Sequence, residues 1–116
     1  MRQIFNLPIP TGVNATYKTG NGNFYKSEAA REWEKEALYQ LMEQHVNTKP
    51  IVGLPVYIGL EFFFKRDRDI DSCVKILLDL LQGRLYENDK QIEHLNVKKY
   101  KVKESPMVTV TITEIL

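Results

Sequence analysis

Residues 54–82 read LPVYIGLEFFFKRDRDIDSCVKILLDLLQ, and two abrupt changes of character inside this stretch set the fold. Leu54–Phe64 is β-branched and aromatic, the composition of a strand on a packed sheet surface. Lys65–Ser72 (KRDRDIDS) is charged and polar except for Ile70. Asp71–Gln82 then predicts a helix: Val74, Leu77, Leu78 and Leu81 form one apolar stripe, and Cys73, Ile76 and Leu80 widen it. Only Asp71, Lys75, Asp79 and Gln82 remain as a polar strip. A helix this apolar is buried on most sides, which in a small chain suggests a sheet on one side and a second subunit on another. Gly83 supplies the stop.

Moving outward, Ser27 reads as the N-cap of an earlier helix running to about His45. Ala30, Trp33, Ala37, Leu38 and Leu41 recur on one face of it, so Trp33 is expected in the core. Residues 2–7 suit a short strand. Residues 8–26, rich in Gly, Asn, Thr and Pro, read as a long polar loop. Residues 84–90 suit another loop. Residues 91–103 and 107–115 read as two strands joined through Glu104-Ser105-Pro106 and expected to form a hairpin. The order β-α-β-α-β-β defines one α+β domain over residues 1–116, with two helices on a mixed sheet.

Composition excludes several classes. The chain has 116 residues, 43% of them apolar, enough for the core of a single domain. One cysteine (Cys73) and two histidines (His45, His94) leave no internal disulfide and no structural zinc site. No stretch approaches the roughly 20 apolar residues of a membrane span. MRQIFNLPIP has no long apolar segment of the signal-peptide kind, so a cytoplasmic protein is expected.

Net charge is only +1, yet its distribution is uneven. Residues 1–26 carry Arg2, Lys18 and Lys26 and no acid, and residues 98–103 (KKYKVK) hold Lys98, Lys99, Lys101 and Lys103. Residues 27–46 are acidic. Two basic ends can meet a polyanion, or can simply be solvated loops.

The chemistry concentrates in KRDRDIDS and in Glu87-Asn88-Asp89-Lys90-Gln91-Ile92. Asp67, Asp69 and Asp71 alternate, and alternate side chains of an extended backbone share a face. Crowded carboxylates repel unless a cation compensates, and a hard divalent metal with oxygen ligands is the economical cation. Neutralisation by Arg66 and Arg68 is the bland alternative. A calcium loop starting at Asp67 is rejected, because its sixth and twelfth positions hold Ser72 and Leu78 in place of Gly and Glu. Lys75 lies four residues after Asp71, so Asp71, Lys75 and Asp79 can form an i,i+4 ion-pair chain, or Lys75 can face a phosphate beside a metal site.

The run Asp69-Ile-Asp71-Ser-Cys-Val-Lys75, an apolar helix, Gly83, and Glu87-Asn88-Asp89-Lys90-Gln91-Ile92 together resemble the RusA family of Holliday junction resolvases. The family pattern is DxDNxxK, an apolar helix ending near Gly, then DDxQI. The N-terminal half matches as well, with Pro8-Ile-Pro10, Asn14, and Tyr25 ahead of the first helix. Two positions depart from it: Ser72 stands for the family's Asn, where Ser can still cap a helix, and Asn88 for the first acid of the pair.

The resemblance implies a structure-selective endodeoxyribonuclease that cuts four-way DNA junctions symmetrically, in recombination and repair, in a bacterial or phage setting. It implies Mg²⁺, with Mn²⁺ as a substitute, held by Asp69, Asp71 and Asp89, and Lys75 as a catalytic residue at the phosphate. It implies a homodimer and needs no organic cofactor. DNA contacts are expected from Lys18, Lys26, Arg66, Arg68, Lys98, Lys99, Lys101, Lys103 and Asn14. Tyr17 and Tyr25 could stack on opened bases or pack their own loop. A non-catalytic DNA-binding module, or a metal-dependent nuclease for other branched DNA, is the alternative.

Overall fold

The computed structural model describes residues 2–12, 17–20, 23–44 and 49–116, with side chains left undescribed at 17–20 and 23–25. Its elements are strands β1 (Gln3–Leu7), β2 (Tyr17–Gly20) and β3 (Asn23–Lys26), helix α1 (Glu28–Gln44), strand β4 (Val56–Phe64), helix α2 (Val74–Leu81), a single 3₁₀ turn (Asp89–Gln91), and strands β5 (Ile92–Lys101) and β6 (Met107–Glu114). The α+β class holds: two helices accompany a mixed four-stranded sheet of order β1-β6-β4-β5.

β4 is central because one face is wholly apolar and buried and the other, through Tyr57, Glu61 and Phe63, is half-buried. Val56, Ile58, Leu60, Phe62 and Phe64 are almost wholly buried, and Gly59 is buried between them. β6 pairs with it antiparallel from Glu114 opposite Val56 to Met107 opposite Phe63. β5 pairs with it parallel on the other side, from Ile92 to Lys101. The expected β5–β6 hairpin is therefore corrected. β4 lies between the two strands, since an exposed, lysine-rich β5 belongs at a sheet edge and the apolar β4 in the middle. Parallel pairing of β4 and β5 requires a crossover, and α2 provides it.

A second correction concerns residues 8–26. Within that polar stretch β2 and β3 form an antiparallel ribbon, with Tyr17 opposite Lys26 and Lys18 opposite Tyr25. Short strands rich in Gly, Asn and Thr carry little of the composition by which strands are recognised.

α1 follows its expectation closely. The Ser27 hydroxyl accepts from Ala30 N at 3.1 Å, as an N-cap does. Ala30, Trp33, Ala37 and Leu41 are buried. Trp33 Nε1 donates to the Pro8 carbonyl at 2.9 Å, so the core indole has its polar edge satisfied and holds the chain beyond β1. At the far end, the Gln44 amide donates to Asn6 O and accepts from Asn6 N, both at 2.8 Å. It thereby occupies one free backbone position of edge strand β1.

α2 begins later than its sequence pattern implies. Residues 70–73 are a turn, the N-cap is Cys73, and no side chain caps the helix, so the expected Ser72 cap is absent. Cys73 is fully buried, and its sulfur lies against Arg68 Nη1 and Pro10 O and not over the helix end. Ile76, Leu77, Leu78, Leu80 and Leu81 are all buried within one chain. The apolar breadth of this helix is thus absorbed internally, and the expectation that its second face awaits another subunit loses its basis. Gly83, with φ of +84°, ends the helix in the left-handed region that glycine occupies without penalty.

Candidate active site

The acidic turn follows β4 and enters α2. Asp69 and Asp71 are exposed, and their carboxylates have no ion pair or hydrogen bond among the described residues. Their backbone is ordered by local bonds: Ser72 N donates to Asp69 O at 3.1 Å and Val74 N to Asp71 O at 3.4 Å. Asp67 is different, since Lys99 Nζ donates to its Oδ1 at 3.0 Å and to Arg68 O at 2.7 Å. That ammonium holds the Asp67 carboxyl below the usual aspartate range.

Arg68 points inward. Nη1 donates to Pro10 O at 3.0 Å and lies 3.0 Å from the buried Cys73 sulfur, while the guanidinium sits 5.6 Å from the centroid of Phe64. It pins the Pro8–Pro10 segment to the acidic turn.

On the other side of α2, Leu85–Ile92 is a dense hydrogen-bonded unit. Gln91 Oε1 accepts from Glu87 N and Asn88 N at 2.9 and 2.8 Å, and its Nε2 donates to Ile51 O and Leu54 O at 2.9 Å each. All four hydrogen-bonding positions of one amide are used. Asn88 Oδ1 accepts from Lys90 N at 2.9 Å and caps the 3₁₀ turn, a role that Asp fills equally well. Gln82 Oε1 accepts from Asp89 N at 2.9 Å.

Asp89 is half-buried. Its Oδ1 accepts from the Tyr86 hydroxyl at 2.6 Å, and its Oδ2 lies 3.5 Å from Lys75 Nζ. Burial, reinforced by the bond to Asp89, raises the Tyr86 phenol far above its ordinary pKa, so it stays a proton donor. Lys75 pairs more closely with Asp79, at 2.8 Å, and that bond chiefly holds the ammonium above the usual lysine range. Of the expected Asp71–Lys75–Asp79 chain only the second half forms, because Asp71 precedes the helix and does not share its face. Lys75 bridges to Asp89 instead.

The expected residues thus divide. Lys75 and Asp89 meet beside α2, whereas Asp69 and Asp71 lie in the turn that precedes it. Among the described residues no three His, Cys, Asp or Glu side chains are gathered where they could hold one metal ion. In donor type the set suits a hard divalent cation: two exposed carboxylates without partners, and a third with one oxygen fixed and the other in only a long contact.

Of the basic residues, Arg68 serves the part-buried contacts above, Lys99 serves the surface contacts with Asp67 and Arg68 O, and Lys26 pairs with Glu34 at 2.6 Å. Arg66, Lys101 and Lys103 are exposed, and Lys101 adds to the positive field at Asp67. Lys98 is on the opposite face of β5, in a groove with Arg2, Tyr57, Glu61 and Asn96. The lysines of residues 98–103 therefore do not form one patch. Tyr17 and Lys18 occupy β2 and Tyr25 occupies β3, with their side chains outside the described part. Asn14 also lies outside the described residues. Sequence reasoning missed Tyr86 and the amide hub at Gln91. The one available signal for Tyr86 was an aromatic hydroxyl three residues before an acid in a polar loop.

A protein-family model described as Endodeoxyribonuclease RusA matches residues 7–113. The chain therefore belongs to the RusA endodeoxyribonuclease family. It is similar to a protein of Aquifex aeolicus (strain VF5) named crossover junction endodeoxyribonuclease RusA, at 29% identity over 94 residues, covering 80% of this chain and 74% of that one. No helix among the described residues is long and apolar enough to cross a membrane.

Proposed function

We propose that this protein is a Mg²⁺-dependent endodeoxyribonuclease that resolves four-way DNA junctions by paired phosphodiester hydrolysis, acting as a homodimer. Membership of the RusA family supports the reaction class. The observation that carries the assignment of the site is the meeting of Lys75 with Asp89 across α2, which brings the DxD-x-x-x-Lys segment and the Asp-x-Gln-Ile segment to the same helix.

Asp69, Asp71 and Asp89 would hold the ion. A bound divalent ion supplies a hydroxide nucleophile at neutral pH and neutralises charge on the scissile phosphate. Lys75, charged at every working pH, places its ammonium beside Asp89 and offsets charge that develops on the phosphate oxygens. Arg66 and Lys101 flank the acidic turn and suit backbone phosphates, which position a duplex without reading its sequence. The homodimer rests on the reaction: two symmetric cuts call for two sites related by a twofold axis.

The test is cleavage of a synthetic four-way junction against a linear duplex of the same arms, with and without Mg²⁺. Paired nicks in the junction alone, and only with metal, are expected. Junction binding without cleavage under either Mg²⁺ or Mn²⁺ would reduce the protein to a binding module. Equal cutting of flaps would reassign its substrate.

A further inference from the structure

We propose that Tyr86 is a positioning residue for Asp89: its buried hydroxyl fixes one carboxylate oxygen and leaves the other turned toward Lys75 of α2. The inference rests on the reading of Asp89 as a metal ligand.

Tyr86 is 0% exposed, yet its hydroxyl has two oxygens within reach, Asp89 Oδ1 at 2.6 Å and Leu78 O at 3.1 Å. A phenol has one proton to give. Leu78 O already accepts from Gln82 N at 3.0 Å, so it does not depend on the tyrosine. The shorter contact, to a charged acceptor, takes the proton.

Asp89 is then held at two points, by Tyr86 at Oδ1 and by Gln82 through its backbone N–H at 2.9 Å. The tyrosine supports it from the packed side of the loop, the exposed Gln82 from the end of α2. Oδ2 is left facing outward, with Lys75 as its only contact among the described residues, at 3.5 Å. A carboxylate fixed through one oxygen loses little freedom when the other binds a cation. Outer partners of this kind typically account for about 10–100-fold in metal affinity or activity. Phenylalanine would fill the same apolar space, so packing alone gives no reason for the hydroxyl.

The experiment compares the full chain with Tyr86→Phe, Asp89→Asn and the double variant. It reads Mn²⁺ affinity by calorimetry without DNA, junction cleavage, and junction binding in EDTA. Y86F is expected to keep its melting temperature within a few degrees and to bind junctions normally. Its Mn²⁺ affinity and kcat should fall about 10–100-fold. In the D89N background Y86F should change nothing further, whereas a merely structural role would be additive. Should Y86F fail to fold, the unmodified protein gives the answer by proton NMR, as a slowly exchanging tyrosine hydroxyl resonance that disappears in D89N. Wild-type Mn²⁺ affinity and cleavage in Y86F, with both lost in D89N, would overturn the role of Tyr86 and leave the metal site standing. Wild-type Mn²⁺ affinity and cleavage in D89N would overturn both.

Discussion

The two acidic segments of this protein are built on opposite principles. Asp69 and Asp71 stand in a turn whose backbone is locally tied and whose carboxylates are exposed and unpartnered among the described residues. Asp89 stands in a loop where Gln91 alone makes four hydrogen bonds and Asn88, Gln82 and Tyr86 add others. One segment offers charge on side chains that nothing else among the described residues engages, the other a single charge on a rigid mount. Stability and chemistry should therefore separate cleanly between them.

The largest effect should come from the exposed pair. Asp71→Asn is expected to lower cleavage by on the order of 10²–10³-fold. Junction binding should be kept or tightened, because a negative charge facing phosphate is gone, and the melting temperature should not move. Normal cleavage by D71N would break the assignment.

Next in size is the rigid loop. Gln91→Ala leaves two backbone N–H groups and two carbonyls without their partner, a loss of about 2–3 kcal/mol given that part of the loop can turn to water. In a domain of this length that lowers the melting temperature by on the order of 10 °C. A denaturation scan checks it, and a melting point equal to that of D71N would erase the contrast between the segments.

Smaller again are the surface cations. Lys101→Ala should weaken junction binding and reduce the slope of log affinity against log salt by about one. Lys98→Ala, on the other face of β5, should leave that slope nearly unchanged. Equal slopes for both variants would show that DNA uses both faces of the sheet.

The smallest effect concerns pH. Lys99 lowers the Asp67 pKa below 3.8, so their contact favours the folded state above that pH and fades as pH falls through the folded-state pKa. Lys99→Ala should return the Asp67 titration, followed by carboxylate NMR, toward 3.8 and slightly flatten the acid limb of the stability curve. An unmoved titration would mean that Lys99 does not hold the turn.

Much of this architecture was legible in the residues. Ser27, the stripe through Ala30, Trp33, Ala37 and Leu41, the apolar run of β4 and the stop at Gly83 each express a local rule, and each appears in the fold. Strand order was not legible. β5 and β6 neighbour each other in sequence, and only the competition for a central place, won by β4, separates them. The β2–β3 ribbon escaped notice because its residues are those of turns. At the site, the resemblance to the RusA family singled out Lys75 and Asp89, whereas the Tyr86–Asp89 bond depends on how the loop packs beneath α2. The structural use of Arg68 and Lys99 was equally hidden, since a charge in sequence does not reveal which carbonyl or carboxylate will claim it.

The most direct measurement is a crystal structure of the protein soaked in Mn²⁺, with anomalous scattering used to locate the ion. The account predicts one or two peaks at first-coordination distance, about 2.1 Å for a hard ion of this size, from carboxylate oxygens of Asp69, Asp71 and Asp89, with the Tyr86 hydroxyl still on Asp89 Oδ1. An ion bound without Asp89, or no ion beside the 69–71 turn at concentrations that support cleavage, would contradict it.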